Sequence, residues 1–592
     1  MASEHYYDSR DPAQRHYSIR VLAQDPSVKA RDGNPLIADI KVPSDRIEAG
    51  PRGHRVRVID YDSSKGVFTP PAVHDDGSAS LPGWGYNDQF GQKTYTERFL
   101  SSDAAQARQF RCQNVFAIAV RTLASFEYAL GRRIPWGFGT HELYVVPHAF
   151  ADGNAYYSRD DHALYFGYID GPGRSRTFTS LSHDIIAHET SHALLDGLRP
   201  GFMHPGLPDQ PAFHEGFADV VSLLSILSLK EVVAALLGPP DDQGRISTEV
   251  LKREALQENA LFKLAEELGE ALTDTRGAGL RQSILIPQNE DWKADEAFVH
   301  PHRRGEVLVA AVMQTLLDMW IERLDPLVQQ RDRADRDRVA EEGAKSAAHL
   351  LNMAIRAIDY LPPTEFEFDD FVTAIISSDK EVAPQDEHEY RKSLTDAFAG
   401  FGIHAKPNRM LDLVEVDSMP LYANLNFSEM RSQPDEIYRF IWANSLLLGI
   451  ATDYYLNVDE VRASVRIGPD GLIISEIVAT YTQNLTGPIS ELVRISRDEH
   501  GVAKLHKPGS ISGDTEVSLR GGGALIFDQF GKLKYHHAKP LFDWVRQSSR
   551  LRHLVDHRIR NTTGGYGFSS GTARGQRFAD LHVPASRTGE DW

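Results

Sequence analysis

The sequence predicts an α+β protein in which a sheet-bearing lobe precedes a mainly helical one and an additional α+β C-terminal domain comes last. Three observations predict it. Short strand-like runs occupy 143–146, 154–157 and 163–168. From 182 to 401 the apolar residues recur instead at the spacing of buried helix faces. From 410 onward strand-like runs return, notably 461–467 and 472–481 on either side of a Gly468-Pro469-Asp470-Gly471 turn.

A chain of 592 residues exceeds what one core supports, so several packed units are expected. The texture divides it into an N-terminal extension with strands (1–100), a central domain (101–405), a C-terminal α+β domain (410–560) and a flexible tail (561–592). A formal charge of −19 argues against nucleic-acid binding and against anionic membrane surfaces, because there is no basic field to replace counterions. Cys112 is the single cysteine, which excludes an intrachain disulfide. The first twenty residues carry no apolar signal core, and no run is long enough to span a bilayer, so a cytoplasmic protein is expected, with export by a signal-independent route left open.

Taken in order, residues 1–50 are rich in Asp, Arg, Pro and Gly, and 55–60 alternates as a strand does. Pro70-Pro71 and Pro82-Gly83 punctuate loops. Residues 103–131 read as a helix with Phe116, Val120, Leu123 and Tyr128 on one buried face and Gly131 as its stop. After the three short strands comes His188-Glu189-Thr190-Ser191-His192. Residues four apart on a helix share a face, so both imidazoles can grip one metal ion, while Glu189 is rotated toward water beside that ion. Ser182 is placed to cap this helix, and Asp196-Gly197 to stop it.

With 24 histidines in the chain, a chance H-E-x-x-H has a probability of roughly several per cent. A second acidic segment, beginning 22 residues after His192, makes chance a poor account. His214-Glu215-Gly216-Phe217-Ala218-Asp219 also reads as helix, with Glu215 and Asp219 one turn apart. A catalytic zinc site takes three protein ligands and one open position. Glu215 completes a His/His/Glu set, and Asp219 can accept the other ring N–H of a ligating histidine.

The H-E-x-x-H and E-x-x-x-D pairing resembles the thermolysin-like zinc metallopeptidases, the gluzincins, over about residues 132–403. The resemblance is closest to uncharacterised bacterial members without a signal peptide. It implies a thermolysin-like catalytic unit with one Zn2+ held by His188, His192 and Glu215, with Glu189 as general base and acid and Asp219 orienting a histidine. Calcium has no support in the sequence. Asn154-Ala155-Tyr156-Tyr157 resembles the edge segment of that group, which implies that Asn154 and the Ala155 carbonyl bind the substrate backbone. The family also places a histidine before an apolar helix, where it donates to the oxyanion. Here that helix spans 307–320, and His300 and His302 compete for the role. His302 keeps the closer spacing and is preferred, although His300 comes after a valine as the family's histidine does. Arg303 or Arg304 can bind a substrate carbonyl or serve as a structural ion pair. Phe202-Met203-His204 occupies the stretch where the family carries an assisting tyrosine, so that group has no counterpart.

Residues 228–290 read as a helical insertion, 322–342 as a charge-rich solvated helix, and 347–360, 366–376 and 390–401 as further helices. Arg520-Gly521-Gly522-Gly523 precedes a strand, not a helix N-terminus, which excludes a phosphate cradle. Residues 540–554 resemble a terminal helix. The expected function is a zinc-dependent peptidase acting on a peptide or protein substrate, with oligomeric state open. The alternatives are a catalytically restricted peptidase-like binding protein or a delivered effector. A serine or cysteine hydrolase is disfavoured, because there is no G-x-S-x-G elbow.

Overall fold

The computed structural model describes residues 16–24, 35–43, 47–72, 104–170, 176–204, 206–257, 286–328, 332–406, 426–468 and 471–557. Pro82-Gly83, part of the expected insertion (258–285), the boundary near 410 and the tail 561–592 lie outside these residues.

An antiparallel pair, β1 (His16–Leu22) and β2 (Ile37–Pro43), packs on helix α1 (Ala104–Leu130). Leu22 N–H donates to the buried Asn114 Oδ1 of α1 at 3.0 Å, which ties the hairpin to the helix. Phe116 and Leu123 are buried in α1, but Tyr128 is 42% exposed, so the buried face is narrower than the sequence suggests. Gly131 ends the helix at φ +64°, and a Cβ there would lie 2.2 Å from the Val465 carbonyl oxygen.

The central sheet runs in the order β3 (Val56–Val58), β6 (Leu143–Phe150), β8 (Ala163–Asp170), β7 (Ala155–Ser158), with β9 (Arg176–Phe178) on the far end of β8. β3, β6 and β8 are parallel, and β7 is antiparallel at the edge. The small pair β4 (Tyr61–Asp62) and β5 (Val67–Phe68) lies beside it.

Helices come next: α2 (His183–Leu198), α3 (Asp209–Leu227), α4 (Lys230–Leu237), α5 (Pro301–Val328), α6 (Arg336–Ala357), α7 (Phe368–Val382) and α8 (Tyr390–Ala399). Ser182 stands at the N-cap of α2, but its hydroxyl donates to Asp184 Oδ1 at 2.5 Å and does not accept from the backbone. Asp196-Gly197 does not stop this helix. Gly197 lies inside it because Pro135 approaches so closely that a Cβ would meet its carbonyl oxygen at 2.0 Å. Two expectations need correction. The described part of 228–290 is not uniformly helical, for after α4 it contains strand β10 (Arg245–Ser247). Nor is 322–342 one helix: α5 ends at Val328, and β11 (Arg333–Asp335) pairs with β10 before α6 begins.

The C-terminal part carries α9 (Pro434–Ala443), a four-stranded antiparallel sheet in the order β12 (Leu456–Ile467), β13 (Ile473–Pro488), β14 (Glu516–Phe527), β15 (Leu533–Lys539), and α10 (Trp544–Asp556). The three glycines 521–523 lie inside β14. A Cβ at Gly522 would meet the Tyr481 carbonyl oxygen at 2.5 Å, so these glycines serve close approach within the sheet. Val478, Ala524, Ile526 and Tyr535 of this sheet belong to the same apolar core as the helices before it. The described residues therefore mix helix and strand, consistent with an α+β class. No single described helix is long and apolar enough to cross a bilayer.

Candidate metal centre

Helices α2 and α3 pack side by side, and both are almost entirely buried. That burial requires their polar residues to find partners inside. His188 and His192 lie one turn apart on α2 with ring centroids 4.5 Å apart and ring planes at 90°. Glu215 of α3 faces both. Its Oε2 lies 3.7 Å from His188 Nε2 and its Oε1 3.7 Å from His192 Nε2. The three candidate ligand atoms all lie within 4.8 Å of one another.

The donor set fits zinc. With metal–ligand bonds of about 2.1 Å, tetrahedral ligands stand about 3.4 Å apart. The observed 3.7 Å separations are close to that spacing and too long for direct hydrogen bonds. Two neutral imidazoles and one carboxylate are also the ligand types a catalytic zinc site uses.

The other ring nitrogens are held from behind. His188 Nδ1 donates to Asp219 Oδ1 at 2.7 Å, the partner expected from the sequence. His192 Nδ1 lies 2.8 Å from His214 Nδ1, a contact that sequence reasoning did not assign. Burial pushes His214 down to about 4, with Glu215 opposing and His188 assisting, so its imidazole is neutral at pH 7. For His192 to present a lone pair at Nε2, its proton must sit on Nδ1 and be donated to His214. The available signal was a third imidazole on the same helix as the carboxylate, one residue before it.

Burial pushes the Glu215 carboxyl up. The nearby rings of His302 and His192, with His188 beside them, outweigh it and hold the group well below the usual carboxylate range. Glu189 comes directly after His188 on α2 and has no exposed surface.

The placement of Glu215 depends on two glycines. Helices α3 and α5 meet at Gly216 and Gly305, where a Cβ on Gly216 would lie 2.7 Å from the Gly305 carbonyl oxygen and one on Gly305 2.8 Å from the Ala212 carbonyl oxygen. These glycines adjoin the site, one residue after Glu215 and three after His302. This contact brings His302 Nε2 to 3.2 Å from Glu215 Oε2. His302 lies in the first turn of α5 and not before the helix, with its side chain 36% exposed. The His300 ring stacks on it at 5.4 Å.

The expected substrate-binding residues divide. Gly167 N–H donates to the Asn154 carbonyl at 2.9 Å, so the alternation of an antiparallel ladder turns the backbone groups of Ala155 and Tyr157 toward the outer edge of β7. The Ala155 carbonyl thus points where an added strand would pair. Asn154 Oδ1 accepts the Ala155 N–H at 2.9 Å. The Tyr157 hydroxyl donates to Asp196 of α2 at 2.9 Å, which fixes this edge against the H-E-x-x-H helix. Arg303 forms an ion pair with Glu306 one turn on and lies over the Phe298 ring at 5.0 Å, so it is held as a structural pair. Arg304 pairs with Asp209 and lies over Trp292.

No family model matches this chain, and no curated protein is significantly similar to it.

Proposed function

We propose that the chain is a zinc-dependent peptidase of the thermolysin-like type, with His188, His192 and Glu215 as the residues that hold the ion. The observation that carries the reading is the convergence of His188 Nε2, His192 Nε2 and a Glu215 oxygen from two helices on one point. Asp219 and His214 behind the imidazoles support it. A bound zinc ion would supply Lewis acidity, making water a nucleophile near neutral pH and polarising the peptide carbonyl.

The chain's own residues do the rest. An extended peptide pairs with the outer edge of β7 through Ala155 and Tyr157, which holds the scissile bond in register. Glu189 removes a proton from the attacking water and returns it to the leaving amine. His302, partly exposed beside Glu215, donates a hydrogen bond to the oxygen that gains charge. His300 stacks behind it and is the less direct candidate.

Metal analysis of the purified protein, together with cleavage profiling on peptide libraries, tests this reading. Wild type should hold about one zinc per chain and cleave. Glu189→Gln should keep the zinc and lose activity by about 100- to 10,000-fold. Cleavage by a zinc-loaded Glu189→Gln chain would falsify the assignment of the base. Complete burial of Glu189 and His192 favours a second reading, a peptidase-like protein that holds metal but does not turn over. A wild type that binds zinc and cleaves nothing decides for it.

A further inference from the structure

We propose that the C-terminal domain positions the metal-bearing helix α3 through one buried relay, from Arg550 to Glu365 to Gln210. The inference rests on the metal-centre reading above and concerns what holds that centre in shape.

The first turn of α3 is gripped by its first two side chains. Gln210, wholly buried, donates from Nε2 to the carbonyls of Gly201 and Phe202 at 3.0 Å and of His204 at 3.1 Å. Its Oε1 accepts the backbone N–H of Glu365 at 2.8 Å. Asp209 pairs with Arg304 of α5 at 2.5 Å and accepts the Phe368 N–H at 3.0 Å.

Glu365 is an unusual residue for such a junction. It is wholly buried and sits at φ +59°, in the left-handed region that costs a residue with a side chain. A conformation of that kind persists where several contacts hold it together. Its carboxylate forms an ion pair at 2.6 Å with Arg550 of α10, and neither side chain has exposed surface. Arg550 Nη1 donates in turn to the Ser518 carbonyl of β14 at 2.7 Å. His553, almost one turn further along α10, lies on the same side. Burial first, then the His557 ring and the Arg304 and Arg550 guanidiniums, push it down to about 4. Helix α10 thus reaches Glu365, whose backbone N–H is held by Gln210 in the first turn of α3, the helix that carries Glu215.

Gln210 precedes Glu215 by five residues on one continuous helix, about 7.5 Å along its axis. A helix turn does not bend over that distance, so a tilt at Gln210 moves Glu215 with it. Gly216 and Gly305, in contact at the crossing, transmit the same tilt to the His302 pairing. Arg550, Glu365 and Gln210 touch none of the proposed ligand atoms, so they are positioning residues.

The test uses the full chain and two readouts that loss of docking alone would leave unchanged: zinc affinity by competition with a chromophoric chelator, and the visible spectrum of the cobalt-substituted protein. Arg550→Met combined with Glu365→Gln removes both charges of the pair at once, and Arg546 keeps Asp543 as its counter-charge. This chain should fold, lose zinc affinity by about tenfold and show a shifted cobalt band. Arg550→Lys keeps the charge without the fork and should fall between it and wild type. Lys539→Met breaks a different contact of the same interface, the pair with Glu367 and Asp370, and should keep wild-type affinity and spectrum. A folded double variant with wild-type affinity and spectrum overturns the relay, and so does an equal loss in Lys539→Met. If the double variant does not fold, Arg550→Lys decides by the same two readouts. A wild type that takes up neither zinc nor cobalt overturns the reading of the centre, and this inference with it.

Discussion

Two buried polar clusters in this molecule solve the same problem in opposite ways. Where the C-terminal sheet meets the helices, buried carboxylates face guanidiniums or an ammonium. Asp359 pairs with Arg132 at 2.6 Å, Glu365 with Arg550 at 2.6 Å, and Glu476 with Arg466. Around Glu215 and Asp219 the partners are imidazoles, and the nearby Arg303 and Arg304 are engaged with Glu306 and Asp209. The first cluster neutralises itself with positive charge from the chain. The second gathers acceptors and ring nitrogens around a point that could hold a cation from outside. Inside a protein, a self-paired network is a fastening, and a concentration of acceptors is a candidate binding site.

The contrast between the clusters makes its strongest demand on Arg132. Arg132→Met leaves the wholly buried Asp359 short of its bidentate partner, with Arg199 at 3.9 Å the nearest remaining guanidinium. It should cost about 3–5 kcal/mol in denaturant unfolding while sparing metal affinity in the fraction that folds. Asp219→Asn and His214→Leu act in the other cluster. Each should weaken metal binding by about 10- to 100-fold with the unfolding midpoint of the metal-free protein little changed. An unfolding midpoint that drops as far as in Arg132→Met would erase the distinction.

A smaller effect is expected from pH. Burial, assisted at His349 by Arg323 and Arg356 and opposed at His537 by Asp370, pushes each of these histidines down to about 4. A depressed histidine stabilises the fold above its unfolded pKa of about 6.5, and that stability is lost as pH falls toward 4, at about 1.4 kcal/mol per unit. The thermal midpoint of metal-free protein should fall across that window, and His349→Gln should flatten the slope. A slope unchanged in that variant rejects His349 as a contributor. The smallest effect is expected at Tyr128, whose exposed ring lies outside both clusters: Tyr128→Ser should change stability by about 0.5 kcal/mol or less.

The site was legible in the sequence to the extent that helix periodicity carries it. His188 with His192, and Glu215 with Asp219, are local spacings, so the pattern alone states which atoms share a face. The strands before them and the stop at Gly131 were legible for the same reason. What escaped is tertiary. Gly197 looks like a stop and Gly521 to Gly523 like the approach to a strand, yet each is glycine because another backbone lies within contact distance. The break between α5 and α6 hides inside a charge-rich run that β10 converts into a strand pairing. Arg550 and Glu365 stand 185 residues apart in the chain, and no periodicity links them. Tyr128 fits the helical stripe by spacing, yet it is 42% exposed.

The Gly216–Gly305 crossing has a consequence for how this chain tolerates change. Two backbones touch there without a side chain between them, so there is no deformable layer to absorb a methyl group. A substitution at either glycine shifts one helix bodily, and with it Glu215 relative to the histidine pair. In a saturation library scored on metal uptake, these two positions should be as intolerant as the ligands themselves, although neither supplies a side chain to the ion.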